Sequence, residues 1–147
     1  MIAVTNSSPL IALSSIDQLQ ILAQLFKRVL VPFAVYQEVV VENPVTIQRT
    51  RIALATTSLF EVLSPQREHE FRRKLGKGER GALSLALEIQ SDFVILDDKK
   101  ARNEAISLGL VPIFTADVLQ LAVEKQLIPS YAAAMAELTR QQIYLPE

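Results

Sequence analysis

Two adjacent carboxylates, Asp97 and Asp98, follow directly on the apolar run Phe93-Val94-Ile95-Leu96. Like charges this close repel, and burial beside an apolar strand raises the cost. A bound Mg2+ or Mn2+ offsets that cost, because hard cations take carboxylate oxygens and keep several waters. The plainer alternative is that one Asp caps a helix beginning near Lys99. One residue can do both.

Glu79 is a second candidate. At helical spacing it shares a face with Ala82, Leu83 and Ala86, so a carboxylate begins an otherwise apolar stripe beside small residues. Gly76 and Gly78, just before it, permit close backbone approach. The alternative is a first-turn glutamate favoured by the helix dipole. Glu38 is a third. Val35 and Val39 mark the inward face of a helix over 32–41, and Glu38 lies at the edge of that face. A solvated glutamate is the ordinary alternative, and Glu42, one turn on, competes for the same role.

The basic residues are clustered. Arg67, Arg72, Arg73, Lys74, Lys77 and Arg80 surround the approach to Glu79, and Lys99, Lys100 and Arg102 follow the Asp pair. Such runs are usually solvated helix faces. Here both flank candidate acids, where phosphates would need neutralising. No G-x-x-x-x-G-K-[ST] or G-x-G-x-x-G motif is present, and Gly76-Lys77-Gly78 is too short to stand for either.

Bulk composition narrows the classes. The 147 residues suffice for one domain with a sizeable core, expected over 1–147. Half of them are apolar, which argues against disorder. Fifteen basic residues face sixteen acidic ones, so any polyanion would need a local basic patch. Without cysteine there are no disulfides, thiolate metal sites or cysteine nucleophiles. His69 is the only histidine, which leaves little for histidine-rich metal sites or a Ser–His–Asp triad, and it reads as a solvated residue in a charged segment. No apolar stretch is long enough to span a bilayer. The N-terminus lacks a basic leader and a cleavage site, so no signal peptide is expected. A cytoplasmic setting fits.

These candidates need elements to hold them. Ile2–Thr5 reads as a first strand, followed by a helix opened by Ser7-Ser8-Pro9, with Ser as its N-cap and Pro9 at its first helical position. Asp17 is expected to cap a helix over 18–26. Strand 28–31 and the helix from Pro32 to Val41 follow, ended by Asn43-Pro44. Residues 45–57 are weakly helical and 58–63 extended. Pro65 begins a charged helix to about Leu75, and an apolar helix covers 79–90. The strand 93–96, being wholly apolar, suits the middle of a parallel sheet covered on both faces. Then come helix 99–108, strand 111–114, helices 116–126 and 130–141, and an edge strand at 143–145. This alternation argues for a parallel α/β sheet. In such sheets ligands sit beyond the carboxyl ends of the strands. Thr5-Asn6 and Asp97-Asp98 both occupy that position.

Four segments, in this order and spacing, resemble the PIN domain family, most closely its stand-alone, VapC-like prokaryotic branch. They are Asn6-Ser-Ser-Pro-Leu-Ile11, Val31-Pro-Phe-Ala-Val-Tyr-Gln-Glu-Val39, Gly76-Lys-Gly-Glu-Arg-Gly-Ala82, and Val94-Ile-Leu-Asp-Asp98 followed by Ala101-Arg102. The resemblance covers nearly the whole chain. It implies a three-layer α/β/α sandwich around a mainly parallel sheet, and a metal-dependent ribonuclease using Mg2+ or Mn2+. It places the acidic positions at Asn6, Glu38, Glu79 and Asp98, with Asp97 beside the last and Ser8 supporting the first. Arg72, Arg73, Lys77, Arg80, Lys99 and Arg102 would then hold RNA. The resemblance further implies a small antitoxin partner and a homodimer, with no membrane. Asn6 departs from the family, which usually has Asp there. An amide oxygen can touch a metal but brings no charge, so metal affinity should drop, and Asp97 is the residue placed to compensate. A PIN-like module that binds RNA or protein without cutting is the alternative.

Overall fold

Five parallel strands form the central sheet of the computed structural model, which describes residues 1–147. Their order is β3 (Glu61–Leu63), β2 (Arg28–Pro32), β1 (Ile2–Thr5), β4 (Phe93–Ile95), β5 (Pro112–Ile113). The chain moves outward from β1 to β2 and β3, then returns to the other side of β1 for β4. The strand order therefore reverses between β1 and β4. Val4 pairs with Leu30 on one side and Val94 on the other, and Thr5 with Ile95.

Side chains alternate between two cores, as the two-residue period of a strand dictates. Ala3, Val29, Val31 and Ile95 join the larger core, with α1 (Ser7–Ser15), α2 (Gln20–Leu25), α4 (Thr46–Ser58), α7 (Thr115–Glu124) and α8 (Tyr131–Arg140). Val4, Leu30, Val94 and Leu96 join the smaller core, under α5 (Lys77–Ile89) and α6 (Lys99–Ser107). The result is the expected α/β/α sandwich. Each fully buried Leu or Val side chain contributes on the order of 2 kcal/mol. The central strands, apolar on both faces, thus anchor the sheet ends where the acids stand.

Several elements differ from the sequence expectation. The weakly helical stretch expected over 45–57 is a full helix, α4, over Thr46–Ser58, because Ile52 and Ala55 bury against the larger core despite weak propensity. The helix after Pro32 is α only over Phe33–Tyr36 (α3) and continues as a π-turn over Gln37–Val41. The Glu42 amide bonds to the Gln37 carbonyl at 2.8 Å. The β-branched run Val39-Val40-Val41 disfavours tight α-winding, and the wider turn carries Glu38. Asp17 adopts positive φ and does not cap α2, which starts at Gln20. The tail 143–145 is not a strand.

The charged helix expected over 65–75 does not form. Side chains of α5 and α6 take its backbone N–H groups instead. Glu88 accepts from Gln66 N, Ser84 Oγ from His69 N, and Glu104 from Arg72 N and Arg73 N. Glu104 is 1 % exposed and also pairs with Arg73 Nη1 at 2.9 Å. Burial raises its carboxyl, but the Arg73 side chain and the two amides outweigh this and hold it below the ordinary glutamate range. The carboxylate then binds fewer protons folded than unfolded. Its stabilisation is present above the unfolded value and lost as pH falls through the folded one. Glu104→Gln should lower stability by on the order of 2 kcal/mol at pH 7. The difference from wild type should shrink as denaturant melts are taken to pH 3.

Candidate acidic site at the carboxyl end of the sheet

The reversal of strand order puts the ends of β1 and β4 side by side. Asn6 N continues the ladder to Ile95 O at 3.1 Å, so Asn6 stands next to Leu96-Asp97-Asp98. Ligand sites of open α/β sheets form at such a reversal. Asn6, rather than the expected serine, holds the N-cap position of α1, which puts Pro9 third in the helix; Asn6 is 6 % exposed, yet its side chain does not cap the helix. A capping role therefore does not explain it.

Glu38 and Glu79 approach this point from two other elements. On α5 the backbone at Gly78 lies directly against Glu38: a Cβ there would stand 2.5 Å from Glu38 Oε1. Glu79 is near enough to Asp98 and Glu38 for both to oppose its ionisation. Burial is the larger cause, and together they push its carboxyl above the ordinary glutamate range, against the Gly76 N–H. Burial likewise raises Asp97, against two bonds from Thr115 and the nearby Arg102 charge. Glu42, the competitor of Glu38, is exposed beyond the π-turn.

Each acid is steadied by a neutral donor. Ser7 Oγ donates to Glu38 Oε2 at 2.7 Å. Gly76 N donates to Glu79 Oε1 at 2.9 Å. Ala101 N donates to Asp98 Oδ2 at 2.9 Å, so Asp98 caps α6 and faces Glu79 at once. Thr115 donates to Asp97 through N at 2.8 Å and Oγ1 at 2.7 Å. None of the four takes an ion pair. The cations that do pair go to Glu61, Asp17, Glu104, Glu68 and Glu137.

Ser8 lines the site's cavity beside Ser7, whose hydroxyl is the one bonded to Glu38. Thr115 is a contributor that sequence reading missed. The Thr-x-Asp pattern opening α7 was its only local signal. The cavity, about 370 Å3, is bounded by Ser7, Ser8, Ile11, Glu38, Val39, Asp97 and the tail residues Ile143, Tyr144 and Leu145. The expected edge strand is thus a wall of this cavity.

The basic residues divide. Arg73 is committed to Glu104, and Arg80 to Glu68 and Leu75 O. Arg72, Lys77 and Lys99 are exposed and free of carboxylates. Arg102 lies over the Phe114 ring at 3.6 Å, a cation–π contact, and acts on Asp97.

The donors are all hard oxygens, from carboxylates, an amide and hydroxyls, which is the chemistry of Mg2+ or Mn2+. No three acidic side chains stand in ligating geometry. Mg2+ is ordinarily bound through one or two carboxylates with several waters retained, so the donor set fits without a preformed triad.

The family model of the PIN domain matches residues 2–147. No curated protein matches the chain. Among solved structures it is similar to a PilT N-terminus domain protein of the hyperthermophilic archaeon Sulfolobus solfataricus P2, at 17% identity and a TM-score of 0.48. That match covers 84% of this chain and 95% of the other.

Two outcomes test the geometry. Gly78→Ala gains helix propensity, but its Cβ collides with the flexible end of Glu38. It should melt at or above the wild-type temperature while losing most of whatever metal affinity the site has. Glu79→Gln removes a carboxyl that binds more protons folded than unfolded, a case in which stability falls as pH rises through the folded value. In EDTA the variant should melt above wild type at pH 7, and the two should converge below about pH 4.

Proposed function

Because the chain belongs to the PIN domain family, whose members are generally nucleases, we propose that it is a metal-dependent ribonuclease hydrolysing RNA phosphodiesters. One observation carries this reading. Glu38, Glu79, Asp97 and Asp98 gather at one sheet end, held by neutral donors, with no ion pair to any of them. Their excess negative charge suits a divalent cation, Mg2+ or Mn2+. One or two carboxylates of the set Glu38, Glu79, Asp97 and Asp98 would hold it, with several waters retained and Asn6 supplying a neutral oxygen. Bound there, it would supply Lewis acidity toward the phosphodiester and make water more acidic.

The chain's own residues do the remaining work. Ser7 fixes the Glu38 carboxylate, and Gly78 leaves room for it. Thr115 orients Asp97, whose oxygens each keep an acceptor position. Glu79, raised by burial and by its acidic neighbours, is placed to take up or release a proton in the metal-free site. Arg102, stacked on Phe114, presents fixed positive charge beside Asp97 for a phosphate oxygen. Arg72, Lys77 and Lys99 supply exposed charge for the backbone. Resemblance to VapC-like proteins extends the proposal to a toxin role, a small antitoxin and a homodimer.

The neutral Asn6 favours a second reading, a module that binds RNA or protein without cutting it. Calorimetry with Mn2+ separates the two, since no binding at millimolar metal would support the module. On the first reading, Asn6→Asp should tighten Mn2+ binding about tenfold or more, by one added charge at close range. Purified protein with Mn2+ should cleave within a panel of RNAs. Asp98→Asn, which keeps a good helix cap, should stay folded and inactive. Cleavage surviving in that variant would place the chemistry elsewhere.

A further inference from the structure

A second groove lies on the other side of Glu38. It has a volume of about 320 Å3, and its lining includes Phe33, Gln37, Arg67, Lys77 and Gly81. The first turn of α5 separates it from the acids. Gly78 lies against Glu38, and Glu79 faces Asp98, while Lys77 and Gly81, four residues apart and so on one helix face, line the groove. α3 and the π-turn after it divide in the same way: Phe33 and Gln37 line the groove, and Glu38 lines the acidic cavity.

The groove's charge and shape differ from those of the acidic cavity. Arg67 and Lys77 pair with no carboxylate. The one acid in the lining, Glu68, is neutralised by Arg80. Phe33 is 46 % exposed, although its ring stacks on Tyr36 with centroids 6.3 Å apart and planes 15° apart. An exposed aromatic beside two free cations is the pairing by which proteins hold single-stranded nucleic acid, the ring stacking a base and the cations meeting phosphates. The volume is at the lower end for small-ligand sites, suited to one nucleotide. A duplex keeps its bases stacked inside and offers this ring no base face.

We propose that this groove binds an unpaired nucleotide of a single-stranded RNA adjoining the acidic site, with Phe33 stacking the base and Arg67 and Lys77 meeting the phosphate. The inference rests on the ribonuclease reading and adds to it a binding groove outside the acidic cavity with two positioning residues, Phe33 and Arg67.

The test is fluorescence anisotropy in EDTA with a labelled ten-nucleotide oligouridylate and a blunt-ended RNA duplex of about ten base pairs. Mn2+-dependent cleavage by the wild type is measured in parallel. Phe33→Ala should weaken single-strand binding about tenfold, the loss typical of one stacked base. Arg67→Ala should weaken it severalfold and reduce the slope of log affinity against log salt by about 0.7. Arg67→Lys should keep the slope. KM for the oligonucleotide should rise in step, Phe33→Ala should leave duplex affinity unchanged, and melting temperatures should stay near wild type. If the wild type binds and cleaves while Phe33→Ala and Arg67→Ala leave affinity and salt slope unchanged, the groove proposal falls alone. A groove built for a peptide would give that result. A wild type that neither binds nor cleaves overturns both proposals.

Discussion

Carboxylates brought together at the end of a sheet repel one another, and the rest of this structure is arranged around that repulsion. Glu38, Glu79, Asp97 and Asp98 come from three separate stretches of chain, and each is held in place by a neutral hydrogen-bond donor. Neutral donors orient an acid without cancelling its charge, as a lysine or arginine would. The five ion pairs all lie elsewhere, including the buried one that ties Arg73 to Glu104. Charge is compensated where it serves the fold and left uncompensated where the acids meet.

Such a site needs stiff supports, because repelling groups on flexible elements would move apart. The support comes from both faces of the sheet. Val94 and Leu96 bury in one core and Ile95 in the other, so the end of β4 cannot turn over without stranding apolar surface. Gly78 contributes by absence, since any side chain there would occupy the space of the Glu38 carboxylate. The π-turn at Gln37–Val41 places a carboxylate at a bend where a straight helix would present a different face.

The first turn of α5 also separates two kinds of surface. Its glycine and glutamate close the acidic site, and its lysine opens onto a groove with an exposed ring and unpaired cations. A polyanion crossing this turn would meet positive charge on one side and a cation-seeking cluster on the other. The net charge of −1 hides this local contrast.

The alternation of elements, the parallel sheet and the end of β4 were legible in the sequence because they rest on local periodicity and apolar runs. Asp97, Asp98, Glu79 and Glu38 could be named for the same reason, as charges interrupting apolar patterns. The segment 65–75 could not be read correctly. Its helical pattern is real, but Glu104, Glu88 and Ser84, distant in sequence, take its amides and hold it open. The bond of Ser7 to Glu38, the grip of Thr115 on Asp97 and the tail at Ile143–Leu145 likewise depend on residues that meet only after folding. The sequence by itself determined which elements exist and which acids stand at their ends, since both follow from neighbours along the chain. Which acids face each other, and the hold of Ser7 on Glu38 and of Thr115 on Asp97, were decided by tertiary structure, because each turns on a contact between residues distant along the chain.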